Sequence, residues 1–231
     1  MSNATAPFRI AVVLFPALAP LDMFGPLQAL NALANEHAMT LSLLSTDMEP
    51  ISMARNITDG VYYGDPDRAS PYFTQFVLPS HTFDNAGDFD MILVPGGGGT
   101  FNLTGTQPHV DWLRDRMQDP GLSYMLSVCS GAALLTRTGE MAGKNATTNK
   151  ATWDLVRSVQ YAEDVNWIAK ARWVVDGNVW TSSGVSAGTD MILAWIEHVY
   201  GRNESERIRI GMEWNALNAT DDPFAGEYGL E

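Results

Sequence analysis

The sequence predicts an α/β fold in which a doubly wound, mostly parallel sheet carries helices on both faces. Short apolar, β-branched runs alternate with helical segments along the 231 residues, which indicates a parallel sheet covered on both sides. One of these runs leads directly into Pro95 and four glycines. Another, residues 122–128, leads into Cys129 and then a helix-like stretch, which is the geometry of a nucleophile elbow.

The first half of the chain shows this alternation clearly. Its predicted elements are strand 9–15, helix 21–36, strand 39–45, strand 90–94 and helix 110–118. Pro26 lies near the start of the first helix, where proline is tolerated. Segment 60–78 is rich in Pro, Asp and Tyr, and we expect it to be irregular with short strands at most.

The second half continues the pattern. Its predicted elements are strand 122–128, helix 130–136, helix 151–158, strands 171–175 and 178–182, helix 186–200 and helix 204–214. The pair Asp176-Gly177 favours a type I′ hairpin, and Ser186 is a candidate N-cap for the long helix. No repeat, low-complexity tract or long linker divides the chain, so we expect a single domain over residues 1–231.

Composition limits the classes of partner. The chain has 14 basic and 27 acidic residues and a net charge of −13, which argues against nucleic acid or an anionic membrane as a partner and is typical of a soluble protein. It has neither an apolar run of membrane-spanning length nor a signal segment, so we expect a cytoplasmic protein. The single cysteine excludes an intramolecular disulfide.

Cys129 is the most informative residue. A lone cysteine in an intracellular chain is most often a small buried hydrophobe. The strand–Cys–Ser–Gly–helix context favours a nucleophile instead, because a purely structural residue does not need a corner at the end of a sheet. The helix N–H groups would favour the thiolate, so we expect Cys129 to be more acidic than a free thiol and to oxidise readily.

Three unusual segments are predicted to meet beyond the carboxyl ends of the strands, where doubly wound sheets bind ligands. They are residues 21–26, residues 95–99 and the Cys129 corner. Asp22 is flanked by apolar residues, which would raise its pKa and suit it to proton transfer. The alternative is a first-turn acid that only stabilises the helix dipole.

The glycine run is predicted to let backbone approach a ligand. It lacks the spacing of a dinucleotide-binding motif and the Lys-Ser/Thr of a phosphate loop. We expect the backbone N–H groups of Gly97 and Ser130 to stabilise a developing negative charge.

A cysteine hydrolase normally needs a histidine base, and none follows the nucleophile here. His37 and His109 are predicted at the surface, His81 in a loop and His198 on the late helix. We therefore expect Asp22 to be the acid–base partner. No Cys/His/Asp cluster has metal-ligand spacing, so neither a metal nor a cofactor is expected.

The motifs together resemble the ThiJ/PfpI superfamily, also called the class I glutamine-amidotransferase-like fold. The matching stretches are residues 14–16, 21–26, 94–97, 128–132, 146–148 and 183–191. The resemblance implies a flavodoxin-like fold and a homodimer. It is strongest to the isonitrile hydratase branch, whose catalytic cysteine and aspartate are matched here by Cys129 and Asp22.

This branch implies a cofactor-free hydro-lyase that converts a small apolar isonitrile to an N-substituted formamide. The residues expected to line the substrate pocket are Gly98, Thr148, Val185 and Ser186. The deglycase and glyoxalase branch usually has glutamate in place of the aspartate, and the protease-like branch has histidine where this chain has Ser130. Two alternatives remain: a glyoxalase or deglycase acting on reactive carbonyls, and a redox sensor whose cysteine oxidises to sulfinate.

The chain also departs from its relatives near the pocket. Ser130 stands where threonine is common, and Asn149-Lys150 replaces a His-Trp pair at the pocket rim. Some relatives join this domain to a C-terminal DNA-binding part, which we do not expect here.

Overall fold

The computed structural model describes residues 8–54 and 73–230. The strands in chain order are β1 (Phe8–Val13), β2 (Met39–Ser45), β3 (Ile51–Ser52), β4 (Phe76–Val77), β5 (His81–Thr82), β6 (Met91–Val94), β7 (Tyr124–Ser127), β8 (Asn145–Ala146), β9 (Asn166–Trp167), β10 (Trp173–Asp176) and β11 (Val179–Ser182). The helices are α1 (Pro20–Ala34), α2 (Gln107–Met117), α3 (Gly131–Arg137), α4 (Trp153–Val156), α5 (Ser186–Tyr200), α6 (Arg202–Gly211) and α7 (Phe224–Glu227). None of the helices in these ranges is long and apolar enough to cross a membrane.

One sheet organises the molecule. Its seven strands lie in the order β10-β11-β7-β6-β1-β2-β5, and every neighbouring pair is parallel except β10 with β11. The main parallel strands therefore have the order second, first, third, fourth, fifth, which is the flavodoxin-like winding. The direction of winding reverses between β1 and β6, so the carboxyl ends of these two strands frame the expected ligand-binding crevice.

The centre of the sheet is apolar on both faces. Residues 10–13 of β1 and 91–94 of β6 are almost completely buried. Helix α1 packs against α5 and α5 against α6, while α2 packs against α3. Each fully buried aliphatic side chain contributes about 1.5–3 kcal/mol to the transfer free energy, which explains why these strands are continuous apolar runs.

The predicted elements are present with shifted ends. The helix predicted at 110–118 begins earlier, at Gln107, and the one predicted at 151–158 is confined to Trp153–Val156. In segment 60–78, residues 60–72 lie outside the described residues, and β4 pairs with β3 in a separate two-stranded sheet.

The predicted hairpin exists, but the predicted turn type, type I′, is wrong. Asp176 pairs with Val179, so the loop consists of Gly177 and Asn178. Gly177 has φ +63°, whereas Asn178 keeps a negative φ. A positive φ at the first loop position alone is the pattern of a type II′ turn, because type I′ needs it at both positions.

Ser186 is not the N-cap of α5. The helix starts at Ser186 itself, after Val185, whose φ is +21°. The Ser186 hydroxyl instead accepts a hydrogen bond from Arg172 Nη2 at 3.1 Å. A buried cation therefore engages the side chain that sequence reasoning assigned to the helix end.

Candidate active site

Cys129 occupies a strained corner directly after β7. Its φ is +58°, a conformation that is uncommon for residues other than glycine and that persists only where surrounding contacts hold it. Its N–H donates to the carbonyl oxygens of Ser182 and Ser183 at 3.1 and 3.0 Å. Thr148 Oγ1 donates to the Cys129 carbonyl at 2.8 Å. The corner is thus fixed by the end of β11 and by the segment after β8.

Two glycines let the chain segments approach each other at this corner. A Cβ at Gly131 would lie 2.3 Å from the carbonyl oxygen of Val94. A Cβ at Gly96 would lie 2.6 Å from the Ser130 nitrogen and 2.9 Å from Asp22 Oδ2. Larger residues are excluded at both positions, so the loop after β6 can touch both α1 and the Cys129 corner.

Asp22 faces Cys129 from the first turn of α1. Its side chain is completely buried, and Oδ2 accepts a hydrogen bond from the Gly96 N–H at 3.0 Å. Oδ1 has no hydrogen-bond partner of ordinary geometry among the described residues, and the carboxyl interacts with the Cys129 thiol. The structure therefore brings together the three segments that the sequence analysis expected to meet.

Burial controls the proton affinity of this pair. It raises the pKa of Asp22 to about 7, although the hydrogen bonds from Gly96 and Cys129 act in the opposite direction. Burial, together with the Asp22 carboxylate, also raises the pKa of Cys129. The expectation that the pKa of Cys129 is lowered is therefore wrong, because the loss of water around the thiol outweighs the effect of the nearby N–H groups. The resting sulfur carries a proton, and Asp22 exchanges one near neutral pH.

The N–H groups around the sulfur differ from the expected pair. The Gly97 N–H donates to Ser130 Oγ at 2.9 Å, so it is already engaged. The N–H groups of Ser130 and Val185 face the Cys129 sulfur and favour its ionised form. The Val185 N–H thus has the stabilising role that the sequence analysis expected for the Gly97 N–H. A Cβ at Gly184, the residue before Val185, would lie 2.6 Å from Asn149 Nδ2.

A cavity of about 270 Å³ is lined in part by Val185, whose N–H faces the sulfur, but neither Cys129 nor Asp22 is among its lining residues. Of the predicted pocket residues, Val185 and Ser186 line it. Thr148 is fully buried and supports the Cys129 backbone, while Gly98 opens a half-buried 3₁₀ turn after β6. The other lining residues are Asn149, Lys150, Ala151, Arg172, Ser183, Gly184, Phe224 and Tyr228.

The histidines lie away from the pair, but His109 is not at the surface. It is 2% exposed, its Nε2 lies 3.0 Å from the Leu14 carbonyl oxygen, and the Phe15 and Phe83 rings pack edge-on against it. Burial lowers its pKa to about 4, so it is a neutral core residue. The sequence missed this because Pro108 and the polar first turn of α2 resemble a surface segment.

The remaining histidines have other contacts. His37 Nε2 lies 3.4 Å from Glu204 Oε1, His81 Nδ1 lies 2.9 Å from Ser80 Oγ, and His198 is exposed. No histidine in the described part of the chain hydrogen-bonds to Asp22 or Cys129. Within the same ranges, no three His, Cys, Asp or Glu residues are placed to hold a metal ion.

Comparison with known proteins finds relatives over most of the chain. An isonitrile hydratase from Pseudomonas putida is 27% identical over 206 residues, which are 89% of this chain and 78% of that protein. The HTH-type transcriptional regulator GbdR from Pseudomonas aeruginosa is 28% identical over 177 residues, 73% of this chain and 46% of the regulator. This chain thus matches less than half of the regulator.

Solved structures agree with the observed fold. A ThiJ/PfpI family protein from Pseudomonas syringae superimposes with a TM-score of 0.72 at 22% identity, covering 96% of this chain and 79% of that one. At this identity the likeness shows the fold alone. The model of the DJ-1/PfpI family matches residues 8–198, most of the chain, and this protein therefore belongs to the DJ-1/PfpI family.

Proposed function

We propose that this protein hydrates a small neutral isonitrile to an N-substituted formamide, with Cys129 as nucleophile and Asp22 as the proton carrier. The observation that carries the proposal is a completely buried carboxyl, with a pKa of about 7, facing the only thiol of the chain. The likeness to an isonitrile hydratase supports the same chemistry. The reaction needs no cofactor, and the enzyme is expected in the cytoplasm.

The first half of the reaction forms a thioimidate. The Cys129 sulfur attacks the terminal carbon of the isonitrile while its proton passes to the Asp22 carboxylate. Asp22 then delivers that proton to the same carbon, so that a C–S and a C–H bond form and the carbon–nitrogen triple bond becomes a double bond. The N–H groups of Ser130 and Val185 stabilise the sulfur while it carries negative charge.

The second half releases the formamide. Water adds to the thioimidate carbon, and Asp22 moves one of its protons to the nitrogen. The C–S bond of the adduct then breaks, and the remaining hydroxyl proton returns through Asp22 to the leaving sulfur. Overall, one isonitrile and one water give one N-substituted formamide, and the Cys129 thiol is regenerated. A positioned acid–base group of this kind contributes about 10²–10⁴ in rate.

The geometry gives the redox-sensor alternative less support. Oxidation of cysteine follows thiolate character and exposure. Cys129 is 7% exposed, and burial raises its pKa, so its resting form is a protected thiol. A neutral substrate that takes up the thiol proton as it forms a bond to the sulfur fits this thiol better.

We infer a homodimer from the surface beside the site. Leu21 and Phe24 flank Asp22 on α1 and are 46% and 47% exposed. Apolar side chains one turn apart on a helix form a patch that a second copy would cover. Sedimentation of the wild type and of a Leu21→Ser/Phe24→Ser variant tests this inference. The wild type is expected to be a dimer and the variant a monomer, and two identical profiles would contradict the inference.

The function is tested by a parallel assay of one preparation on an alkyl isonitrile and on methylglyoxal. We expect formamide from the isonitrile, no turnover of methylglyoxal, and no formamide from folded Cys129→Ala. Turnover of methylglyoxal alone would favour the glyoxalase alternative. Full activity of Cys129→Ala on the isonitrile would eliminate the nucleophile assignment.

A further inference from the structure

The C-terminal segment, residues 215–230, contributes two aromatic side chains, Phe224 and Tyr228, to the cavity of about 270 Å³. Phe224 and Tyr228 line the same cavity as Val185, whose N–H faces the Cys129 sulfur. These two residues are 49% and 54% exposed, while Ala225 between them is fully buried and anchors α7 to the protein. The segment thus places two aromatic rings in the same cavity as Val185.

A buried ion pair holds this segment in place. Lys150 Nζ lies 3.2 Å from Asp222 Oδ2, and the two side chains are 2% and 1% exposed. Lys150 Nζ also donates to Thr147 Oγ1 at 2.9 Å and to the Ala171 carbonyl at 3.0 Å. Asp222 Oδ1 accepts the Phe224 N–H at 2.9 Å, so the pair also sets the start of α7.

A second set of contacts holds the same segment from the β10 side. The Arg172 N–H donates to the Ala219 carbonyl at 2.6 Å, and its guanidinium pairs with Asp190. Trp214 Nε1 donates to the other oxygen of Asp190 at 2.6 Å. The two cations of the cavity lining, Lys150 and Arg172, are therefore each neutralised by a carboxylate.

We propose that Phe224 and Tyr228 form the specificity wall of the site, that Lys150 is the positioning residue for the segment that carries them, and that the two rings select a neutral molecule with a compact apolar group. The cavity is smaller than the usual range for drug-sized ligands. A charged ligand would have to compete with an internal ion pair, whereas the rings of Phe224 and Tyr228 offer an apolar surface. The inference rests on the proposed function only in taking Cys129 as the reacting residue.

The wall is tested by alkylation of Cys129, which needs no isonitrile turnover and meets no competing thiol. The ratio of the rate with N-benzyl iodoacetamide to that with iodoacetamide measures size selection. We expect Phe224→Ala and Tyr228→Ala to raise this ratio about tenfold. The matched control is Leu217→Ala, an exposed residue of the same segment that lines a different cavity. Ring variants that stay within about twofold of this control would overturn the proposal.

Charge selection is measured with iodoacetate against iodoacetamide, relative to the same ratio for glutathione. Wild type should disfavour the anion by a further tenfold or so. A ratio equal to that of glutathione would remove the neutral-ligand claim. If these tests fail while isonitrile turnover is normal, the wall is refuted and the proposed function stands. If they succeed while no isonitrile is turned over, the proposed function is refuted and the wall stands.

The positioning role of Lys150 needs a variant that leaves no lone buried charge. Lys150→Met/Asp222→Asn removes both charges. We expect it to lose hydrogen-exchange protection over residues 215–230 and to raise the benzyl ratio about tenfold. Unchanged protection together with an unchanged ratio would show that the pair does not position the wall.

Discussion

At the scale of single residues, burial decides the chemistry of Cys129 and Asp22. The corner and its acid could be predicted because both signals are local: a strand followed by Cys-Ser-Gly, and an aspartate among apolar neighbours. The pKa direction of Cys129 could not be predicted. It depends on water excluded by segments far apart in the chain, such as those that carry Gly96 and Val185.

Asp22→Asn should stabilise the fold at about pH 8. Because the folded-state pKa of Asp22 is raised to about 7, its contribution to stability is complete below its unfolded value and is lost as pH rises through about 7. The amide avoids burying a carboxylate, a gain of up to about 4 kcal/mol. Urea unfolding at about pH 5 and pH 8 checks this, and a gain of equal size at both values would contradict the burial argument.

Gly96→Ala should damage both stability and activity. The new Cβ would press on the Ser130 nitrogen and on Asp22 Oδ2, which costs about 1–3 kcal/mol and separates the catalytic pair. Gly211→Ala is the control, since nothing lies within 4 Å of a Cβ there. Melting curves and formamide rates are compared, and a Gly96→Ala protein that resembles this control would disprove the close-approach role.

At the scale of elements, periodicity located the strands and helices but not the contacts at their ends. Asp176-Gly177 indicated a hairpin, yet register gave it a type II′ loop. Ser186 resembled an N-cap, but Arg172 engages its hydroxyl. Such details depend on partners distant in sequence, which local patterns do not contain.

The Lys150–Asp222 pair provides a test at this scale. Asp222→Asn leaves a buried ammonium without its carboxylate and should cost about 3–5 kcal/mol of unfolding free energy. Lys150→Met/Asp222→Asn should lose less than the single variant, because no lone charge stays buried. Urea unfolding of both proteins gives the comparison, and a double variant less stable than Asp222→Asn would contradict it.

At the scale of the whole molecule, sheet order produces the site. The reversal between β1 and β6 places α1, the glycine loop and the Cys129 corner side by side. This arrangement could be predicted from the alternation of strands and helices along the chain. The proposed wall of Phe224 and Tyr228 could not be predicted from the sequence, since the segment that carries these rings has only the one-turn helix α7 and no hydrophobic periodicity. The position of this segment depends on the ion pair of Asp222 with Lys150, two residues far apart in the sequence.

The central claim is that Asp22 exchanges the proton of Cys129 during isonitrile hydration. The most direct test is kcat/KM for an alkyl isonitrile as a function of pH, in wild type, Asp22→Asn and the control Leu217→Ala. Wild type and the control should gain activity as pH rises through about 7, where Asp22 ionises and can accept the thiol proton. Asp22→Asn should be about 10²–10⁴ slower and should not show that rise. A fully active Asp22→Asn protein, or a wild-type profile without a rise near pH 7, would contradict the account.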